Sequence, residues 1–415
     1  MLLNQDRAVE LMAREGVDGL VAATPLNTYY LSGYWGLFNT PGGYDGAYFA
    51  VLPRDRREPA ALVVPALELR RVATAGGTWM PGLHAHSWPV AGEPERLDDG
   101  TPRGADYAGW PVREGAALGD IETRWTRVVA RLGKQMSPDA FHAVARALKA
   151  AGLAKARLAT DDARIAGWLA ACGLPDVECR YLPALFNEIR LVKTPAEIEL
   201  MTRAARSNET ALLAAAAGLR AGMAWTEVED LYLMEMLRQG GRGVYLMCGV
   251  GGLPHGRVRP GEPILFDALG HVERYHGDFG RCAVLGEPSA EHRRRHRALE
   301  RGWEAAGEYL RPGVRYSELA AAVAGVVRRE GIADFREPLV HSLGLEHTDD
   351  PKPAGVQPQT RPDQVLRENM VVNIDMPHTE IGWGSVHMED TVQITADGFR
   401  RLGVADFSLR VAPAG

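Results

Sequence analysis

Two apolar runs in the second half of the chain each carry a carboxylate where a buried strand would reject a free one. Asp267 ends Ile264-Leu265-Phe266, and Asp278 opens the return run 279–284. With 271–274 as the natural turn, a symmetric hairpin sets 267 opposite 278 and projects both side chains from one sheet face. Adjacent carboxylates repel, so an apolar site holding both needs a cation or a shared proton. Glu389 heads another apolar run, Asp375 ends one more, and His341 follows Pro338-Leu339-Val340. Taken singly, each has an ordinary alternative. A strand-end Asp often caps a turn, a lone His is often a satisfied core group, and Glu389 beside Asp390 also fits a solvated edge. Together, four carboxylates and one imidazole have the composition that bridges two divalent ions about 3.5–4 Å apart and activates a water.

The remaining sequence narrows the class of protein. Asp+Glu number 53 against Lys+Arg 47, a net charge of −6. That excludes the global basic footprint of a nucleic-acid or anionic-membrane binder. No segment approaches the eighteen or so consecutive apolar residues of a spanning helix. The start MLLNQDRAVELMAREG places Asp6, Arg7 and Glu10 where a signal peptide needs an apolar core, so none is expected. Cys172, Cys179, Cys248 and Cys282 form no C-x-x-C pair, which points to a reducing, cytoplasmic setting without disulfides or a thiolate zinc site. A length of 415 residues suits two or three domains.

Along the chain, 7–15 reads as a helix ended by Gly16, and 19–23 as a buried strand closed by Thr24-Pro25. Segments 29–31 and 47–52 read as further strands. The stretch 78–115 is rich in Gly, Pro, Asp and Trp and reads as a long loop-like excursion. It carries Trp79, Trp88, Trp110, His84 and His86, either substrate-facing or packed on their own domain. Helices follow at 125–132 and 139–151. The domain boundary falls close to Asn187, just ahead of Thr194-Pro195-Ala196-Glu197, a capping box with Pro at its first helical position. A second box, Thr226-Glu227-Val228-Glu229, opens a helix running to Gly240-Gly241. Strands are expected at 263–266, 279–285, 371–375 and 389–395, and helices at 290–310 and 318–330.

These residues resemble a known group, the pita-bread fold metallopeptidases and creatinase, in its Xaa-Pro aminopeptidase/prolidase/creatinase branch. Gly-Val-Asp-Gly-Leu-Val, Thr-Pro-Leu-Asn and Tyr-Leu-Ser-Gly within 7–33 are similar to that branch's amino-terminal domain, and 189–198 to its entry into the catalytic domain. Leu265-Phe266-Asp267 with Gly277-Asp278-Phe279-Gly280-Arg281, His341-Ser-Leu-Gly-Leu-Glu, and Met388-Glu389-Asp390-Thr391-Val392 resemble its ligand motifs. The resemblance implies an α/β (α+β) fold, with a small creatinase-like N-terminal α/β domain over 1–186 and a pita-bread metal-dependent catalytic domain over 187–415. It implies two divalent metal ions (Mn, Fe, Co or Zn) held by Asp267, Asp278, His341, Asp375 and Glu389. His255, His347 and His387 take the catalytic roles.

Three departures accompany the matches. The fourth ligand is Asp375 followed by Met376, where the family has Glu followed by Pro. His347 stands six residues beyond His341 rather than seven, and His387 replaces an Arg two residues before the last ligand. The implied function is a metal-dependent hydrolase of an amide-type C–N bond, Xaa-Pro dipeptidase- or aminopeptidase-like, acting on a short peptide or small molecule as a cytoplasmic homodimer. A creatinase-like amidinohydrolase, a sulfoniopropionate-type lyase and a non-catalytic binding module stand as alternatives.

Overall fold

In the catalytic half of the chain, alternation of side chains decides what each strand faces. Val371–Asp375 points Val372 and Ile374 one way and Asn373 and Asp375 the other. The apolar set joins Val340, Val392 and Ile394 in a core with Leu299, Trp303, Leu319 and Val323 from the helices Ala290–Tyr309 and Tyr316–Arg329. In the same way Phe266, Ala268 and Phe279 pack on Leu212, Ala215, Val228 and Tyr232 of Pro195–Ala217 and Trp225–Arg238. The helices thus cover one face of the sheet, and the polar alternates are left to the other.

The computed structural model describes residues 1–39, 47–74, 76–91, 95–252, 255–352 and 363–414. They fall into two compact units, one over Met1–Ile189 and a second that begins at Arg190. The first is built on a six-stranded mixed sheet, ordered Gly82–His86, Ala61–Pro65, Phe49–Pro53, Gly19–Ala22, Arg157–Thr160 and Glu178–Tyr181. The second holds the path Leu339–Ser342, Val371–Asp375, Glu389–Ile394, Tyr275–Leu285, Ile264–Val272 and Arg242–Gly249, with neighbours antiparallel throughout. No helix among the described residues is long and apolar enough to cross a membrane. All four cysteines are free thiols.

The first capping box forms as the sequence specifies. Thr194 Oγ1 accepts from the Glu197 N–H at 3.3 Å, and Glu197 Oε2 accepts from the Thr194 N–H at 2.8 Å. Three local expectations are corrected. Segment 29–31 is no strand but part of the helix Pro25–Ser32, because Pro25 presets the first helical turn and Gly33, at φ 74°, ends it. Trp225–Arg238 starts ahead of Thr226, with Glu227 accepting from the Ala224 N–H at 2.7 Å. The excursion 78–115 contributes the strand Gly82–His86, parallel to Ala61–Pro65. Two of its tryptophans are tied down locally: Trp79 Nε1 donates to the Leu31 carbonyl at 2.7 Å, and the Arg70 guanidinium lies 3.0 Å over the exposed Trp110 ring.

Candidate metal centre

The hairpin turn is tighter than the sequence suggests, and this sets the register of the site. Glu273 and Arg274 both adopt positive φ (48° and 72°), a two-residue reversal whose twist matches that of the flanking strands. Val272 therefore pairs with Tyr275, Asp267 falls opposite Gly280, and Asp278 opposite Leu269. The two carboxylates are diagonal neighbours rather than direct partners. They still share a face, because a shift of two residues preserves the side.

Five strands then lay out two cross-strand rows. In the first, Asp267 pairs with Gly280, Gly280 with Glu389, and Glu389 with Asp375. In the second, two residues along each strand, stand Asp278, Thr391, Asn373 and His341. Thr391 pairs with Asn373 and Asn373 with His341, while Thr391 Oγ1 donates to the Asp278 carbonyl at 2.9 Å. The sequence candidates Asp267, Asp278, His341, Asp375 and Glu389 accordingly project from one face. On this face three groups have donor atoms mutually within 4.8 Å: Asp278 with His341 and His347, Asp375 with His387 and Glu389, and Asp267 with Asp278 and Glu389.

Burial makes this concentration of charge costly. It raises the proton affinity of Glu389 well above the ordinary glutamate value, and the charges of Asp278, Asp267 and Asp375 add to the effect. Asp267 moves up for the same reasons, against the pull of His387. Burial lowers His341. For His347 burial also opposes the charged form, but the hydrogen bond and charge of Asp278 outweigh it and the net shift is upward. His387 likewise rises despite burial, through Asp375.

The polar contacts leave specific gaps. Asp278 Oδ1 and Glu389 Oε2 are buried without a hydrogen-bond partner, a situation that native interiors rarely tolerate. Among the described residues, the cations paired with the clustered carboxylates are histidines. His347 Nε2 lies 3.0 Å from Asp278 Oδ2, His341 Nε2 lies 3.9 Å from the same oxygen, and His387 Nε2 lies 2.7 Å from Asp375 Oδ1. Unpartnered carboxylate oxygens converging with imidazole and without thiolate form a donor set that suits a divalent cation.

His255 is not brought into this cluster. It is exposed and stands apart from every donor group found among the described residues. Two neighbours escaped the reading of the sequence. Asn373 Nδ2 donates to Glu389 Oε1, and the Tyr245 ring meets His347 edge-on at 6.5 Å. Asn373 had a signal: a polar residue two before Asp375 in an apolar run must share its face.

Comparison with known proteins agrees with this architecture. Residues 199–396 match the model of metallopeptidase family M24, and residues 5–164 match the Creatinase/Prolidase N-terminal domain. A Xaa-Pro dipeptidase of Pyrococcus furiosus is 28% identical over 236 residues, covering 54% of this chain and 66% of that protein. A Xaa-Pro dipeptidase of Lactobacillus delbrueckii subsp. lactis is 27% identical over 237 residues, covering 54% and 63%. The chain thus matches just under two thirds of the length of these curated relatives. Among solved structures, the prolidase from Pyrococcus horikoshii OT3 superposes with a TM-score of 0.67 at 19% identity, covering 98% of this chain and 99% of that one. The X-Pro aminopeptidase from Thermotoga maritima gives 0.70 at 18%, covering 97% and 99%.

Proposed function

From the premise that this chain joins a Creatinase/Prolidase N-terminal domain to a metallopeptidase family M24 domain, we propose that it is a metal-dependent dipeptidase. The substrate class is dipeptides of the Xaa-Pro type, and the reaction is hydrolysis of their amide bond. The observation that carries this reading is the pair of buried oxygens, Asp278 Oδ1 and Glu389 Oε2, left without partners in a face of four carboxylates. Asp267, Asp278, His341, Asp375 and Glu389 would hold two divalent ions, with Mn²⁺, Fe²⁺ or Co²⁺ suited to the oxygen-rich set at least as well as Zn²⁺. Bound there, such ions lower the pKa of a water toward neutrality and polarise a substrate carbonyl.

The chain's own groups supply the proton traffic. Glu389, fixed by Asn373 through Oε1 and standing between Gly280 and Asp375 in the carboxylate row, is the group placed to take the proton of the attacking water. Asn373 and Thr391 hold Glu389 and the Asp278 backbone in place. His347, with 42% of its side chain exposed, is the imidazole that incoming substrate meets. Its Nε2 lies 3.0 Å from Asp278 Oδ2, at the edge of the cluster, which places the ring to donate to the leaving nitrogen. His387 is sealed within the cluster and His255 stands outside it, so neither takes a proton-transfer role in this reading.

The test is a Mn²⁺-reconstituted assay on matched dipeptides (Xaa-Pro, Pro-Xaa and Xaa-Ala), with amidino acids and betaine-like sulfonium compounds alongside. Proline release from Xaa-Pro, abolished in Glu389→Gln with the fold intact, is the expected result. Metal-loaded protein that eliminates or cleaves only the non-peptide compounds overturns the dipeptidase reading.

A further inference from the structure

His387 is the imidazole that proton transfer does not use, and its surroundings are built around it. The ring occupies the space left by the missing side chain at Gly280. A Cβ there would stand 2.8 Å from Nε2 and nearer still to Cε1 and Nδ1. Gly280 is the central residue of the first cross-strand row, between Asp267 and Glu389, so the ring lies on the carboxylate face. Nδ1 is 2.9 Å from the Phe266 carbonyl oxygen, which can only accept. Nδ1 therefore carries the hydrogen, and Nε2 is turned toward Asp375 Oδ1 at 2.7 Å and Glu389 Oε2 at 3.6 Å.

That is the arrangement of a coordinating histidine. Ligating imidazoles characteristically donate their second nitrogen to a backbone carbonyl or carboxylate, which fixes tautomer and ring angle. Metal–nitrogen and metal–oxygen bonds of about 2.0–2.2 Å set neighbouring donors about 3 Å apart, close to the two separations from Nε2. Glu389 Oε2 has no hydrogen-bond partner of its own. We infer that His387 Nε2 is itself a metal ligand, completing with Asp375 and Glu389 one cation subsite of the centre. The inference rests on the metal-centre reading above and deepens it by naming a nitrogen donor within that subsite.

The experiment is a Mn²⁺ titration of metal-free full-length protein, followed by the electron paramagnetic resonance signal of the free ion. Wild type is compared with His387→Ala and His387→Arg, the second of which restores a cation without a ligand. The expected result is two binding events in wild type. In both variants the affinity of one falls about 100-fold or more, while the other stays within a few-fold. An Arg variant that keeps both affinities within a few-fold of wild type overturns the inference, since charge alone then suffices. Wild type that binds no Mn²⁺ overturns the metal-centre reading itself. Should the variants fail to fold, pulsed paramagnetic resonance of Mn²⁺-loaded, ¹⁵N-histidine-labelled wild type decides. Two inequivalent bound imidazole nitrogens support the inference, and a single one refutes it.

Discussion

The substitution Gly280→Ala tests the construction of the site without presupposing its chemistry. The added methyl would stand 2.8 Å from His387 Nε2 and closer to two other ring atoms, where ordinary contacts between heavy atoms begin near 3.5 Å. The ring must retreat by about 1.4 Å, since Cε1 would stand only 2.1 Å from the new methyl. Two strand neighbours resist the alternative, a backbone shift, because Gly280 is paired on one side with Asp267 and on the other with Glu389. A retreat of that size breaks the contacts from Nδ1 to Phe266 and from Nε2 to Asp375. Overpacking a tight interior costs about 1–3 kcal/mol, and a buried carbonyl left unsatisfied adds about 1–3 kcal/mol. The expected loss is about 2–6 kcal/mol, read as a lower urea midpoint at unchanged slope in metal-free buffer. An alanine variant within about 0.5 kcal/mol of wild type, with His387 still against Phe266, would refute the cradle.

Glu197 predicts a pH dependence away from the candidate ligands. Burial, partly offset by Lys193 and by hydrogen bonds from Thr194 and Tyr275, raises its pKa from 4.5 to about 7. Because the folded value lies above the unfolded one, the native state binds more protons between them. Stability from this group is full below pH 4.5 and is lost as pH rises through 7, by up to about 3 kcal/mol. Glu197→Gln keeps the capping geometry, and its stability curve should lack that decline; a variant with the wild-type slope over this range contradicts the assignment. Asp349→Ala leaves Arg190, within 3.1 Å, and the buried Lys193, at 3.8 Å, without a shared carboxylate. It should cost about 3–5 kcal/mol in urea denaturation, and a loss below about 1 kcal/mol would show that the pair is compensated elsewhere. Mn²⁺ at about 100 times its dissociation constant should stabilise wild type by about 2.7 kcal/mol. It should leave the Asp278→Asn, Glu389→Gln double variant unmoved, and equal stabilisation of both proteins would place the ion somewhere else.

What could be read from the sequence follows the physics of each signal. Thr194-Pro195-Ala196-Glu197 was legible because a capping box is entirely local, and it forms as written. Strand 371–375 was legible because its alternation is complete within five residues. By contrast, Tyr29-Tyr30-Leu31 is apolar, short and without period, so strand and helix patterns fit it equally and Pro25 decides. The hairpin was placed correctly while its register was not. Turn length depends on two residues accepting positive φ, and neither Glu273 nor Arg274 advertises that.

The same distinction explains which parts of the site were visible. Asp267, Asp278, Asp375 and Glu389 announce themselves because a carboxylate inside an apolar run violates the pattern of its own strand, a conflict that one sequence exposes. His387 violates nothing locally. It lies outside the regular strand Glu389–Ile394, and its position depends on an absence more than a hundred residues away, the Cβ missing at Gly280. Phe266 contributes through its backbone carbonyl, an atom every residue carries, so its role leaves no mark in the sequence. Oxygen donors that ride on strand alternation can thus be found by period alone. A nitrogen donor wedged between strands is found only once the register is known, which here turns on the two residues of the hairpin turn. A one-residue slip in that turn would move Gly280 out of the row, close the space under His387, and leave Asp375 and Glu389 facing each other without the imidazole between them.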